Sequence, residues 1–283
     1  MRGTSPGLPG DAVECHGISH GAVKSEAEHR HDLCAVGRWM HEHGHVAATD
    51  GNVSVRLSAD TVLTSPTCVS KGMMAPEDMV ITDLNGQKLG GRRNPSSELP
   101  MHLLIYRLRP DVNAVCHAHP VVATGYAAAG IPLDKPILCE LVIGLGSVPV
   151  ARYGTPGTPE LTDSLEPLVR DHDAILMANH GVVTYGPDLL TAFLRMETTE
   201  HFARVSLVTQ LLGKQNLLSQ RDVEKLVTAR THYVAGAKAG ERGAEDSIDS
   251  AEEASRATER IALSRRELQT LIDEALQQDR SRR

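Results

Sequence analysis

Two histidines stand two residues apart in the stretch "DVNAVCHAHP" at residues 111–120, at the end of an apolar run. If that run is a β-strand, alternation sends His117 and His119 to the same face, with about 7 Å between their Cα atoms. Two imidazoles at that spacing can share one zinc ion. A structural pair bonded to backbone carbonyls has the same spacing, so this pair alone leaves both interpretations open.

A third histidine and a carboxylate strengthen the case for a metal. His180 ends the segment "AILMAN" and precedes Gly181, which lets the backbone turn sharply and exposes the imidazole. Three neutral imidazoles with an open position form the ligand set of a catalytic zinc site rather than a structural one. Glu98 offers a carboxylate and follows Ser96 and Ser97 at a predicted helix start, where backbone N–H groups favour an anion.

Hydrophobic periodicity predicts the helices around these residues. A first helix is expected over residues 25–44, and a second follows Ser96 or Ser97 as its cap, with Pro100 in its first turn. Further helices are expected through "VVATGYAAAG", "TPELTDSLEPLVRDH" and a long stretch from residue 186. The apolar stripe of that long helix consists of Leu190, Leu194, His201, Val205, Val208 and Leu212.

Short alternating runs predict the strands. They are "NVSVRLS", "TVLTSP", "EDMVITD" with a turn at Asn85-Gly86, "VNAVCHAH", extended pieces around "ILCELVI" and "VPVARYG", and a strand pair in "DAILMANHGVVTYG". Cys116 is expected to pack on the face opposite His117.

Length and charge restrict the class of protein. The 283 residues suffice for one large domain or two small ones, and 41% apolar residues are ordinary for a globular protein. A net charge of −7 argues against a general nucleic-acid or anionic-membrane partner. Apolar runs are too short to span a bilayer, and no secretory signal is visible. Five scattered cysteines indicate free thiols, so we expect a cytoplasmic protein.

Composition divides the chain into four parts. Residues 1–24 are expected to be a flexible arm, and residues 25–235 the main domain. Residues 236–255 are expected to be a polar linker, and residues 256–283 a terminal helix whose apolar stripe needs a partner.

Four linked motifs resemble those of a known family. "GNVS" at 51–54, "SSE" at 96–98, "HAHP" at 117–120 and "NHG" at 179–181 are similar, in order and separation, to the class II aldolase/adducin family, typified by fuculose-phosphate aldolase. The resemblance covers about residues 27–215. It implies a three-layer α/β/α sandwich with a central, largely antiparallel mixed sheet. It also implies homotetramers with active sites at subunit interfaces.

The resemblance also assigns roles to residues. It implies that zinc, or another divalent metal, is held by His117, His119 and His180, and that Glu98 transfers protons. Asn52, Ser96 and Ser97 match the family's phosphate-binding positions. The implied enzyme is a lyase that makes or breaks a carbon–carbon bond in a small hydroxy-carbonyl substrate, such as a sugar phosphate, through a metal-stabilised enediolate.

Two departures from the family keep other functions open. The phosphate loop reads "SPTCVSKG", with Cys68 where the family has glycine, and the tyrosine of fuculose-type aldolases is missing from "KPILCELVIG". In this loop Thr67 is a further predicted phosphate contact. Lys71 is typical of a solvated surface residue, yet it is also the best candidate for an additional phosphate or carboxylate contact. The alternatives are a decarboxylase on the same zinc site and a non-catalytic scaffold like the adducin head.

The remaining histidines receive simpler interpretations. His41, His43 and His45 form "HEHGH", which lacks the HExxH spacing, so we expect a helix end and a loop without a metal role. His102 and His201 are expected to be hydrogen-bonded core histidines rather than partners of a ligand.

Overall fold

Eight strands form one mixed sheet in the computed structural model, which describes residues 24–229. The strands are β1 (Asn52–Arg56), β2 (Thr61–Thr64), β3 (Val80–Asp83), β4 (Lys88–Gly90), β5 (Ala114–Ala118), β6 (Val150–Ala151), β7 (Ala174–Met177) and β8 (Gly181–Gly186). Their order is β4-β3-β2-β1-β5-β8-β7-β6, and only β6 and β7 pair in parallel. The predicted largely antiparallel mixed sheet is confirmed.

Helices cover both faces of this sheet. They are α1 (Glu26–Glu42), α2 (Leu99–Leu108), α3 (Val121–Ala129), α4 (Cys139–Gly144), α5 (Pro159–Val169) and α6 (Leu189–Leu211), with short 3-10 helices at Lys71–Met73 and Pro76–Asp78. One hydrophobic cluster joins α1, α3, α4 and α6 to one face, and a second joins α2 and α5 to the other. The predicted three-layer sandwich is therefore confirmed.

Strand alternation places the polar residues Asn52, Ser54 and His117 of β1 and β5 on the side of α2. Ala114, Cys116 and Ala118 of β5 pack in the cluster of α1 and α6, whereas Val115 packs beneath α2 and α5. His117 shares the side of Val115 and stands directly opposite Asn52 in the pairing of β5 with β1. The buried thiol of Cys116 lies 3.7 Å from the sulfur of Met40 on the other side, as predicted.

One predicted strand proves wrong. Residues 139–144, expected to be extended, form α4. The buried residues of this segment are Leu141, Val142 and Leu145, a spacing that fits one face of a helix and not the alternation of a strand. Packing of Leu141 and Leu145 into the main hydrophobic cluster stabilises this short helix.

The predicted apolar stripe of α6 is not its buried face. Leu194, Val208 and Leu212 are 47%, 53% and 76% exposed, and His201 is exposed as well, so it is not a core histidine. The buried face instead consists of Leu189, Ala192, Phe193, Met196, Thr199, Glu200, Phe202, Ala203 and Ser206.

Glu200 explains why this more polar face is the buried one. Its carboxylate accepts the backbone N–H groups of Val122 and Ala123, which begin α3, and also pairs with Arg204. These partners satisfy the buried charge and bind α6 to the start of α3.

The ends of the chain lie outside the described residues. The predicted arm at 1–24, apart from residue 24, the linker at 236–255 and the terminal helix at 256–283 therefore stay predictions. Within residues 24–229, no helix combines the length and apolar character that a membrane crossing requires.

Candidate metal centre

Three histidine rings from two chain segments converge at the end of β5. His117 lies in β5, His119 follows that strand, and His180 lies in the turn between β7 and β8. Their ring centroids are 4.8 to 5.2 Å apart. Each ring offers a nitrogen within 4.8 Å of the others, and the Nε2 atoms of His117 and His119 are 3.2 Å apart. The structure thus brings the three predicted ligands together.

Gly181 allows this approach through its lack of a side chain. A Cβ at this position would lie 2.4 Å from Cδ2 of His119 and 2.6 Å from the carbonyl oxygen of Ala118. The left-handed residue of the turn is Asn179, with φ of 55°, and not the glycine. The role of Gly181 is therefore close packing against the histidines rather than the sharp turn that the sequence indicated.

Glu98 bridges two of the three rings. Its Oε2 lies 3.2 Å from Nε2 of His117, and its Oε1 lies 2.9 Å from Nε2 of His180. Burial alone raises the pKa of Glu98, but the charges and hydrogen bonds of His117 and His180 outweigh burial and hold this pKa well below its ordinary value. Glu98 is therefore a carboxylate at neutral pH.

The donor atoms fit a divalent cation. Nδ1 of His117 lies 2.8 Å from the carbonyl oxygen of Val182, so His117 donates from Nδ1 and presents Nε2 to Glu98 and His119. A carboxylate and two facing imidazole nitrogens at these distances repel one another unless a cation or a proton lies between them. Nitrogen and carboxylate oxygen are both ligands that zinc accepts.

A chain of buried hydrogen bonds supports Glu98 from α2 and β1. Asn52 Nδ2 donates to Glu98 Oε2 at 2.8 Å, and Asn52 Oδ1 bonds to Nε2 of His102. Nδ1 of His102 lies 2.7 Å from the hydroxyl of Ser54, which lies 2.8 Å from the hydroxyl of Tyr106.

The directions in this chain follow from the state of His102. Burial, reinforced by the charge of His117, lowers the pKa of His102 to about 3, so the ring is neutral. Since Asn52 Oδ1 is an acceptor, His102 donates from Nε2 and accepts at Nδ1 from Ser54. His102 is the hydrogen-bonded core histidine that the sequence predicted, and it also fixes the amide of Asn52 that holds Glu98.

A cavity of about 240 Å³ opens beside the histidines. Its wall includes all five predicted substrate contacts: Asn52, Thr67, Lys71, Ser96 and Ser97. The two serines are not the cap of α2, which begins at Leu99 with Glu98 as its N-cap and without a side-chain cap bond. The serines therefore lie in the loop before the helix, where Ser96 Oγ accepts the N–H of Glu98 at 3.3 Å.

Lys71 is buried, although a lysine is typically a solvated surface residue. Its side chain is 1% exposed, and its Nζ donates to the carbonyl oxygens of Thr49 at 3.0 Å and Val69 at 2.6 Å. Burial lowers the pKa of Lys71 to about 8, against the opposing effects of Asp50, Cys68 and Glu98. The buried ammonium group has one proton left for an acceptor in the cavity.

Cys68 adopts a conformation that favours glycine. Its φ is 56°, and its side chain is exposed. The loop thus keeps the left-handed turn at the position where the family has glycine, although a Cβ is present there.

Asp50 is a site residue that sequence reasoning missed. Its Oδ2 lies 3.4 Å from Nδ1 of His119, and it lines the cavity. Burial, together with the charges of His117 and His180, lowers the pKa of His119 to about 4. The only sequence signal for Asp50 is its position directly before "GNVS".

A mixed sheet between two helical layers, with three imidazoles and a carboxylate meeting at one strand end, defines a protein of the metal-dependent class II aldolase type. The chain belongs to the family described as Class II Aldolase and Adducin N-terminal domain, whose model matches residues 31–207. The resemblance inferred from the four motifs is confirmed.

Known proteins agree with this assignment. The chain is 35% identical over 199 residues to a 5-deoxy-D-ribulose 1-phosphate aldolase of Bacillus thuringiensis, covering 70% of this chain and 92% of the relative. It is 34% identical over 183 residues to a 3-oxo-tetronate 4-phosphate decarboxylase of Haemophilus influenzae, covering 63% and 86%.

A solved structure shows the same fold. An L-fuculose 1-phosphate aldolase superposes with a TM-score of 0.68 at 29% identity, covering 74% of this chain and 99% of that one. The prediction of a class II aldolase-type lyase is confirmed, and because these relatives are enzymes, they support it over the scaffold alternative.

Proposed function

We propose that this protein is a zinc-dependent lyase that cleaves or forms a carbon–carbon bond in a small phosphorylated hydroxy-carbonyl compound. The observation that carries the proposal is the convergence of His117, His119, His180 and Glu98 on one point beside a polar cavity. A divalent ion held by the three histidines would supply Lewis acidity toward the substrate's carbonyl and hydroxyl oxygens.

Glu98 carries the proton transfer in this proposal. Because its carboxylate is ionised and oriented by Asn52, it can take a proton from the substrate and later return it to the product carbon. The bond from Asn52 Nδ2 fixes one oxygen of Glu98 and leaves the other next to His180. Proton transfer at this position requires the carboxylate to remain unprotonated before the substrate arrives.

The substrate's anionic group occupies the cavity. Thr67, Ser96 and Ser97 offer hydroxyl donors there, and Lys71 offers a positive charge. The named relatives act on sugar phosphates or a related acid phosphate, which supports a phosphorylated substrate for this chain.

A decarboxylase on the same site is the second candidate. The buried ammonium group of Lys71 is suited to a carboxylate, and one of the relatives is a decarboxylase of an oxo-acid phosphate. The two reactions differ in the bond that breaks and share the same residues for metal and proton.

We also propose that the enzyme is a cytoplasmic homotetramer. The exposed apolar stripe of α6 supports association with further copies of the chain. Among residues 24–229 all four cysteines are free thiols, which supports a reducing compartment.

Two variants test the assignment of the site. We expect His117→Ala to lose one bound metal ion per chain, measured by mass spectrometry, while His31→Asn on the exposed side of α1 keeps it. We expect Glu98→Gln to keep the metal and to lose turnover by at least about a hundredfold. Undiminished turnover of Glu98→Gln would remove its role in proton transfer, and a parent protein without divalent metal would remove the proposal.

Product analysis separates the two reactions. Dihydroxyacetone phosphate with several aldehydes tests the aldol direction, and 3-oxo-acid phosphates test release of carbon dioxide. Carbon dioxide release without any aldol product would favour the decarboxylase.

A further inference from the structure

A second group of metal-ligating side chains lies between the end of α1 and the middle of α6. His43 caps the end of α1, His45 follows two residues later, and Glu197 projects from α6. Each offers one ligand atom, and these atoms all lie within 4.8 Å of one another. Nδ1 of His43 already lies 2.8 Å from Oε1 of Glu197.

The imidazole of His45 is buried without a hydrogen-bond partner. It is 4% exposed, and neither of its ring nitrogens bonds to any atom of residues 24–229. The buried side of the ring faces Phe193, with centroids 6.3 Å apart, and the ring of His43 meets it edge-on at 5.8 Å. A buried polar ring without a partner is unusual, because nearly all such groups in proteins are satisfied. A ligand on one of its nitrogens would satisfy it.

A cavity of about 570 Å³ borders the same three residues. It leaves room for water molecules to complete a coordination shell. His201 lies on the cavity wall one turn beyond Glu197 on α6, close enough to Glu140 for their charges to interact. Glu200 is also in the wall, but its carboxylate is already occupied by the backbone N–H groups of α3 and by Arg204.

We propose that His43, His45 and Glu197 bind a second divalent transition-metal ion of the zinc type, separate from the ion at His117. Two imidazoles and one carboxylate form a ligand set that zinc accepts, with water in the remaining position. The ligands come from different parts of the chain: two belong to the end of α1 and the connection that follows it, and one belongs to α6. The ion therefore joins two elements that are distant in the sequence.

This position gives the second ion a structural role. The carbonyl oxygen of His45 accepts the backbone N–H of His119 at 2.9 Å. The segment after His45 continues to Asp50 and Asn52, both in the wall of the first cavity. An ion that fixes His45 against α6 therefore also fixes the segment that supplies these two residues. The inference stands independently of the proposed reaction.

Metal counting on the full-length protein tests the inference. The chain is stripped of metal, dialysed against micromolar free zinc, and analysed by mass spectrometry. We expect Glu197→Gln and His43→Asn each to bind about one zinc ion fewer per chain than the parent. The matched controls are Glu166→Gln on the exposed side of α5 and His31→Asn on α1, which should bind as the parent does. Zinc held elsewhere in the chain cancels in these comparisons.

The outcomes separate the two sites. If Glu197→Gln and His43→Asn bind as much zinc as the parent, the second site does not exist. If His117→Ala keeps all its zinc while Glu197→Gln loses one ion, the second site stands and the proposed function fails. Glu197 is partly exposed, so Glu197→Gln is expected to fold normally.

Thermal unfolding gives an independent measurement. Adding zinc should raise the unfolding temperature of His117→Ala, because the second site still binds, and this rise should be lost in the double variant His117→Ala/Glu197→Gln. An equal rise in both variants would overturn the inference.

Discussion

The ammonium group of Lys71 lies in the wall of the cavity beside the histidines, and its burial brings its pKa into the range used for enzyme assays. Burial lowers its pKa to about 8 from an unfolded value of 10.5. Between these values the unfolded chain binds more protons than the folded chain. Lys71 therefore makes the free energy of unfolding increase with pH in this window, and its destabilising effect is complete below about pH 8.

Substrate binding, in contrast to the free energy of unfolding, should weaken as the pH rises. As the pH rises through about 8, Lys71 loses its proton and an anionic substrate loses a charge-assisted contact. We expect KM to rise by about tenfold across this range, and the rise should be absent in Lys71→Met. Steady-state kinetics as a function of pH measure both. An equal rise in Lys71→Met would assign it to another group.

Cys68 provides a test of backbone strain. The left-handed conformation of Cys68 costs about 1 kcal/mol because the residue has a Cβ. Glycine avoids this cost, but its greater freedom in the unfolded chain offsets part of the gain. We expect Cys68→Gly to raise the free energy of unfolding by about 0.5 kcal/mol in urea titrations. Cys68→Ser keeps the Cβ and should show no gain. A gain in the serine variant would mean that the thiol, and not the backbone, is responsible.

Residue types, spacing and the family resemblance together predicted which side chains converge. His117 and His119 lie at the end of one strand, and His180 follows a second strand, so alternation and turn position fixed their approach. The environment of Lys71 could not be predicted in this way. Its buried ammonium group is satisfied by the carbonyl oxygens of Thr49 and Val69, which the surrounding loops supply. Glu197 was likewise missed as a partner of His43, since the two are joined only by folding.

At the scale of elements, α2 and β1 act together on Glu98. α2 provides Tyr106 and His102, and β1 provides Ser54 and Asn52, so the hydrogen-bond chain passes three times between the two elements. Each side chain of this network is buried and has a defined direction of donation. The network therefore fixes the orientation of the Asn52 amide, whose nitrogen faces Glu98.

His102 is accordingly a positioning residue. We expect His102→Leu to lower kcat/KM by about ten- to a hundredfold while zinc content stays at the parent level, because Asn52 loses the bond that orients its amide. His102→Gln offers one donor and one acceptor and should restore much of the activity. Tyr106→Phe, at the far end of the network, should have a smaller effect. Equal losses in the leucine and glutamine variants would indicate a purely structural role.

Short and amphipathic elements account for the errors of prediction. The segment of α4 is only six residues long, and an apolar run of that length fits a strand or a helix until its neighbours are known. In α6 the buried face contains Thr199, Glu200 and Ser206, which hydrophobic periodicity assigns to solvent. Their partners lie on other parts of the chain, as the contact of Glu200 with α3 illustrates. The central strands were predictable because they are apolar and regular.

At the scale of the whole molecule, the unburied stripe of α6 has a consequence for assembly. The stripe is apolar at Leu194, Val208 and Leu212, yet these side chains are exposed in the single chain. Exposed apolar side chains along one face of a helix favour a protein–protein contact. Periodicity identified the stripe as apolar, but the expectation of a core histidine at His201 on this stripe is wrong, because the sheet packs against the opposite face of the helix.

The stripe therefore predicts the effect of charge on the number of subunits. If the proposed homotetramer forms through this stripe, we expect the double variant Leu194→Glu/Val208→Glu to have a smaller assembly mass than the parent protein, measured by light scattering after gel filtration. Burying two carboxylates in an apolar contact is strongly unfavourable, whereas both are well hydrated in the free chain. Leu89→Glu, an exposed substitution on the edge strand β4, is the control and should keep the parent mass. If active sites are completed at subunit contacts, the dissociated variant also loses turnover while zinc stays bound at His117, His119 and His180. A parent-like mass for the double variant would assign the subunit contact to another surface of the molecule.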